Sequence, residues 1–432
     1  MKLSTKLLLS SACALAINTI AFAHDMIPGT PQKNAILIKG ATLHTVANGV
    51  LVGSDILLEN GKISAIGKQL KAPEASTIIN AQGQHVYPGL ILTASQLGLR
   101  EIGAVRATVD DREVGEDNPH LLAHVAFNTD SEIVPTIRAN GITHTQVTPV
   151  GRLIAGQSSL VNLDAWNADD ALTKSAIGIH VNWPSQPGYW VAKKQRPKAL
   201  EKYQEQLARL TDYFEQAQRY HIAYQHDNTI AKDIRWHAMV DLFNQNKTLF
   251  VHAEAINEIE QAMRFAKQFN LKMVLIGASD AWMVKEQLAA SNIAVIYTNA
   301  FGLPSRSDED IDQAFKTPSQ LTNAGVTTAI GYESAWDSRS LAFAAGMAAK
   351  YGLGKEQALK AITLIPAQIL GVADILGSLE VGKSASLVIS QGDIMDYQGH
   401  KVINMFIDGR AVDLNNRHRQ LYEKYQQKVT AN

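Results

Sequence analysis

Cysteine is almost absent from this chain: one occurs in 432 residues, Cys13. It lies in a segment that reads as a leader, so the remaining sequence offers no disulfide, no reactive thiol and no cysteine-based metal site. An excess of charge of one sign is also missing, with 40 Lys and Arg against 41 Asp and Glu and a formal net charge of −1. That balance excludes the concentrated basic face that nucleic-acid phosphates require. The run Lys193, Lys194, Arg196, Lys198 is local and reads as a solvated helix entry. There is no fixed-period repeat and no low-complexity tract.

The one long apolar run is at the start. Lys2 and Lys6 precede an apolar stretch from Leu7 to Ile20, and Ala21-Phe22-Ala23 has the small-x-small form of a cleavage site. Ser10, Ser11 and Asn18 interrupt the run, which falls short of the roughly 20 apolar residues of a membrane span. Residues 1–23 are therefore expected to be a cleavable signal peptide. The mature chain then starts near His24, in the periplasm or secreted, without a stable membrane anchor.

From Asn34 to His85 the pattern is of short β-rich runs, and Asn60-Gly61 sits between two of them as a hairpin signal. Further strands, Ser386–Ser390 and Lys401–Arg410, follow a long helical stretch. Two such segments are too small to stand alone. Residues 24–86 and 372–432 are expected to join as one discontinuous β-sandwich domain, with 87–371 between them. In that middle part apolar strands alternate with amphipathic helices, the mark of βα units around a parallel sheet. Leu90–Ala94, Ile142–Thr148, Ala176–Val181, Thr248–Ala253, Lys272–Ile276, Ala294–Tyr297 and Thr327–Gly331 read as strands; an eighth is not legible. The fold class is α/β, a TIM-like (β/α)8 barrel with a small second domain. Between Pro197 and Asn246, Leu207, Leu210, Phe214 and Ala217 recur at helical spacing, a stripe that would dock on the barrel wall.

Barrel chemistry belongs at the carboxyl ends of the strands. Period-two alternation puts Thr248, Phe250, His252 and Glu254 on one face and Leu249, Val251 and Ala253 on the other. If the first set faces inward, His252 and Glu254 reach the mouth, where they would share a metal or where Glu254 would orient the imidazole. A buried, hydrogen-bonded structural histidine is the alternative. Glu333, on the face of Thr327, Ala329 and Gly331, is an acid–base candidate or else a salt-bridged loop residue. His180 ends another strand and is a third lining group. For substrate contacts the candidates are His180 and, from loops after strand ends, Arg100, Arg106 and Trp336.

Several phrases resemble amidohydrolases of the imidazolonepropionase-like kind. They are Pro88-Gly89-Leu90-Ile91, then Gly141-Ile142-Thr143 leading to Pro149, Ile154 and Gly156-Gln157, then Val251-His252-Ala253, the helical run from Gly352 to Gly371, and Gly377–Leu387. The resemblance implies a barrel that hydrolyses non-peptide C–N bonds in cyclic amides or related small substrates, or in short peptides, with a divalent ion in the mouth. It also exposes departures. The two histidines expected after the first phrase are replaced by Ala94 and Gln96, a third by Gly277, and an aspartate by Glu333; His252 is retained.

These residues leave three readings open. One is an exported hydrolase with an atypical or metal-free site, using Glu333 or Glu254 as base and His252 as acid or electrophile. One zinc or manganese ion would enter only if His252 and Glu333 joined a rearranged site. The others are an inactive pseudoenzyme that binds a small ligand, and a scaffold for an active relative. The expected partner is a small molecule, with a homo-oligomer or a paralogous chain as further options.

Overall fold

In the computed structural model, residues 27–188, 191–304 and 306–430 are described. The leader expectation, Cys13 included, falls outside them. Among the described residues no helix is long and apolar enough to cross a membrane.

The two ends of the chain build one sheet. From the first end come β1 (Ile36–His44), β2 (Val50–Glu59), β3 (Lys62–Gly67), β4 (Thr77–Asn80) and β5 (His85–Pro88); from the second come β14 (Leu387–Gln391), β15 (Lys401–Ile407) and β16 (Arg410–Ala411). The order is β16-β15-β14-β5-β1-β2-β3, with β4 beside β1. The segments meet where β5 and β14 pair antiparallel, Val86 opposite Ile389. Asn60 and Gly61 both take positive φ, +52° and +75°, as the tight turn between Glu59 and its partner Lys62 demands. Ile38, Leu43, Ile56, Leu58, Val86, Leu387 and Ile389 fill a core that neither segment could close alone.

The second sheet is the barrel: β6 (Leu90–Ser95), β7 (Ile142–Val147), β8 (Ile154–Asn162), β9 (Leu172–Asn182), β10 (Thr248–Ala253), β11 (Met273–Gly277), β12 (Ala294–Tyr297) and β13 (Thr328–Ile330), neighbours in chain order. It departs from the expected all-parallel arrangement at one place. The strand that was not legible is β8, which runs antiparallel to both β7 and β9. Its sequence, Ile-Ala-Gly-Gln-Ser-Ser-Leu-Val-Asn, is fully buried yet carries none of the apolar alternation that marks a strand. The sheet is drawn together at the far side by Tyr332 N–H to Thr93 O (3.2 Å) and Gln96 N–H to Glu333 O (3.1 Å).

Gly89, between β5 and β6, explains the Pro-Gly phrase. A Cβ there would lie 2.2 Å from Thr143 Oγ1 and 2.4 Å from Thr143 Cγ2, so β6 and β7 can pair closely only without a side chain at this position. The stretch after Pro197 forms two helices, Arg196–His226 and Ile234–Phe243. The first buries Leu210, Tyr213, Phe214 and Ala217, and Phe214 meets Phe265 edge-on at 4.8 Å. Burial of a Phe side chain is worth about 1.5–3 kcal/mol, enough to hold this charged helix on the barrel wall. On β10, Leu249, Val251 and Ala253 join that outer core. Phe250 packs instead with Ile91, Val274, Ile276, Ile296 and Ala329 in the barrel interior.

Candidate active site at the barrel mouth

The alternation on β10 carries His252 and Glu254 beyond Phe250 to the mouth. Opposite Phe250, His180 of β9 lies fully buried, its ring stacked on the Phe250 ring at 4.7 Å. His180 Nδ1 and His252 Nε2 are 3.0 Å apart, and His252 Nδ1 is 3.5 Å from Glu333 Oε1. Glu333, His180 and His252 therefore form a continuous chain with His252 in the middle. The hydrogen bond with His252 holds the Glu333 carboxyl below its usual range, and burial pushes His180 well below the ordinary histidine value. With Glu333 ionised, its carboxylate is an acceptor for the His252 ring. His252 presents Nδ1–H to Glu333, and one hydrogen bond joins His252 Nε2 and His180 Nδ1, its direction following the protonation and tautomer of the two rings.

Glu254 is not the partner of His252 that the sequence allowed for. Its carboxylate turns to Ser279, whose N–H and Oγ–H both donate to Oε2, at 3.0 and 2.6 Å. Its backbone is clamped on both sides: Glu258 Oε2 accepts the Glu254 N–H at 3.0 Å, and Asp280 N–H donates to the Glu254 carbonyl at 3.0 Å. Asp280 in turn accepts the Ile256 N–H and is paired with Arg306. Glu254 keeps solvent access, but desolvation by the protein packed around its carboxylate raises its pKa. The Glu333 charge adds to the rise and the Ser279 hydrogen bonds oppose it.

Where the resemblance places two histidines, the structure puts no ligand in the mouth. Ala94 has a left-handed φ of +60°, and its N–H donates to Gln146 Oε1 at 3.1 Å. Gln146 Nε2 donates to Ser158 Oγ at 2.9 Å. Gln96 turns toward Arg100, 3.5 Å away. Arg100 is paired with the buried Asp111 at 3.2 Å, so it braces the loop after β6. Arg106 is exposed on a 3-10 turn, Arg106–Thr108, and is not among the groups gathered around His252. Trp336 stacks on His418 of the helix Arg417–Thr430 at 5.8 Å, and an aromatic partner already occupies that face. Next to Glu333 lies an open pocket of about 370 Å³ lined by Thr298, Asn299, Phe301, Tyr332 and Ser334. Ser279, Gln146 and Asp280 went unrecognised in the sequence. Only Glu258 left a signal, as an acid in the first turn of the helix Ile256–Gln268.

The divalent ion implied by the resemblance does not fit these residues. A bound ion wants about three protein donors around an open position. Among the described residues no group of three His, Cys, Asp or Glu side chains is disposed to hold one. Both ring nitrogens of His252 are engaged, and the position of Gly277 is closed: a Cβ there would fall 2.1 Å from Glu254 Oε1. The expected pair of metal ligands, His252 and Glu333, is instead a hydrogen-bonded pair.

A family model for the amidohydrolase family matches residues 227–412. An amidohydrolase named tasK from Hapsidospora irregularis is 20% identical over 91% of this chain, and the chain spans only 42% of that protein's length. Among solved structures, an amidohydrolase from Thermotoga maritima MSB8 superposes with a TM-score of 0.77 at 24% identity, covering 88% of this chain and 99% of that one. A prolidase complexed with N-methylphosphonate-L-proline gives a TM-score of 0.55 at 14% identity, covering 88% of this chain and all of that one. At such identities the superpositions speak for the fold, and the matched family model together with the order of motifs along the barrel speaks for the lineage. Residues 227–412 thus match the amidohydrolase family, and the comparisons support placing the chain with the amidohydrolase superfamily.

Proposed function

We propose that this protein is an exported hydrolase of C–N bonds in small amides, acting at the mouth defined by Glu333, His252 and Glu254. The observation that carries the reading is the chain Glu333–His252–His180 at the carboxyl ends of the strands. A half-buried carboxylate held by an imidazole, itself held by a buried histidine, stays ionised and fixed in position to accept a proton. The second carboxylate, Glu254, faces the same mouth with its proton affinity shifted the opposite way. Two acids whose environments push them apart suit a reaction that must take one proton and give another. The likeness to a prolidase bound to a proline phosphonate favours imides and amides of cyclic amines among the substrates. Export rests on residues 1–23 and on nothing in the fold.

The test is a hydrolysis panel of cyclic amides, N-acyl amino acids and X-Pro dipeptides with the purified mature protein. Turnover that falls by about 100-fold or more in Glu333→Gln, within the usual range for losing an acid–base group, supports the reading. A panel without turnover, or turnover indifferent to Glu333, overturns it.

A further inference from the structure

The family's reaction draws on a metal ion, and the residues present here do not fit one. What they build is a different device. Each of the two mouth carboxylates is anchored through one oxygen and leaves the other without a protein partner among the described residues. Glu333 is held at Oε1 by His252; Glu254 is held at Oε2 by Ser279. Glu254 Oε1 lies over Gly277, in the volume that any side chain at that position would enter. The loss of a ligand at 277 is thus coupled to a gain, because the glycine makes the seat that Glu254 takes. The clamp on the Glu254 backbone, from Glu258 on one side and Asp280 on the other, fixes the seat further.

We propose that this mouth hydrolyses its amide without a metal ion, through the carboxylate pair, with Glu333 as the base that activates water and Glu254 as the acid that protonates the leaving nitrogen. This rests on the hydrolase reading above. The free oxygen of ionised Glu333 takes one proton from water as the water oxygen bonds to the carbonyl carbon and the carbonyl π pair moves to oxygen. When that pair returns, the C–N bond breaks, and the nitrogen receives the proton carried by Glu254. The products are one carboxylic acid and one amine, with no change in oxidation state. Glu333 then holds the proton that Glu254 has lost, and exchange through solvent at the open mouth resets both.

His252 and His180 are positioning residues in this scheme. His252 spends Nδ1–H on Glu333 and Nε2 on His180, so neither nitrogen is left for substrate. Burial keeps His180 neutral, which leaves it only the choice of tautomer.

The test compares two leaving groups on one acyl group. The full mature protein is assayed on an amide with a strongly basic leaving amine and on the corresponding ester of a weakly basic nitrophenol, before and after treatment with a chelator, with metal content measured by elemental analysis. Turnover is expected to survive chelation at substoichiometric metal. Glu254→Gln should lose about 100-fold or more on the amide and far less on the ester, whose leaving group departs without a proton. Glu333→Gln should lose on both, and circular dichroism shows whether each variant is folded. Turnover abolished by chelation and restored by zinc overturns the metal-free pair while leaving the hydrolase reading intact. An equal loss on both substrates in folded Glu254→Gln removes Glu254 as the acid. No turnover of either substrate by the unaltered protein overturns both proposals.

Discussion

Glu254 occupies the space that a side chain at Gly277 would need, with Oε1 standing 2.1 Å from the ideal Cβ position of that glycine. Gly277 also has a left-handed φ of +86°, so a substituent there meets both a strained backbone and an occupied volume. Gly277→Ala is expected to cost roughly 1–2 kcal/mol of stability for the φ alone and to push the Glu254 carboxylate off Ser279. A displacement of about an ångström already lowers rates by about 100-fold. A crystal structure of the variant with Glu254 still bonded to Ser279 would sink the idea that the two positions compete.

His180 holds the far end of the chain to Glu333. His180→Leu keeps an apolar group against Phe250 but removes the ring nitrogen that is hydrogen-bonded to His252 Nε2. The His252 ring then keeps its Glu333 contact at Nδ1 but loses the partner at Nε2 that helps fix its orientation and tautomer. The expectation is a fall in kcat of about tenfold with little change in KM, and a ¹⁵N spectrum in which His252 no longer shows a single Nδ1–H form. If the variant retained that form and its kcat, His180 would be packing alone.

Much of the barrel was legible because its strands are short, largely apolar runs set between amphipathic helices. β10, Thr248–Ala253, and β12, Ala294–Tyr297, lie where the apolar pattern puts them, and the inward face of β10 follows from period two. β8 was hidden because its inward and outward sides are both buried among small and polar residues. At the site, His252 and Glu333 were visible from their places at strand ends. The turn of Glu254 toward Ser279 was not, since it depends on a partner 25 residues away and on the empty volume at Gly277. Arg106 and Trp336 followed from loop position alone, and loop position does not say which way a side chain faces.

Gly89 offers a test of the Pro-Gly phrase by stability rather than activity. Gly89→Ala would drive a methyl group into Thr143, and overpacking of this kind costs about 1–3 kcal/mol. Shortening the obstacle with Thr143→Ala should return part of the loss. Urea midpoints of the single and double variants measure it, and strictly additive losses would show that the two positions do not collide.

The acid limit of stability should be set in part by His144. It is completely buried on β7, with Nδ1 2.9 Å from Thr143 Oγ1. Burial is the main reason its pKa falls from 6.5 to about 4, and the Arg410 charge adds to the fall while Asp408 opposes it. His44, beside His85 where β1 meets β5, is also lowered to about 4, first by burial and then by the His85 charge. Between these values and 6.5 the unfolded chain binds protons that the folded chain refuses. Stability therefore rises with pH across that window and is lost as the solution is acidified through it. Each such group contributes a slope of at most about 1.4 kcal/mol per pH unit, and the slope vanishes where both states are neutral. Glu333 acts in the same direction at lower pH, because its lowered carboxyl stabilises the fold above the unfolded value near about 4.3 and ceases to do so as it protonates. Replacing His144 by Gln removes one titrating group from the upper window. Urea midpoints measured from pH 7 down to pH 4 should fall less steeply in His144→Gln than in the unaltered protein, and parallel curves would exclude His144 as a source of the acid sensitivity.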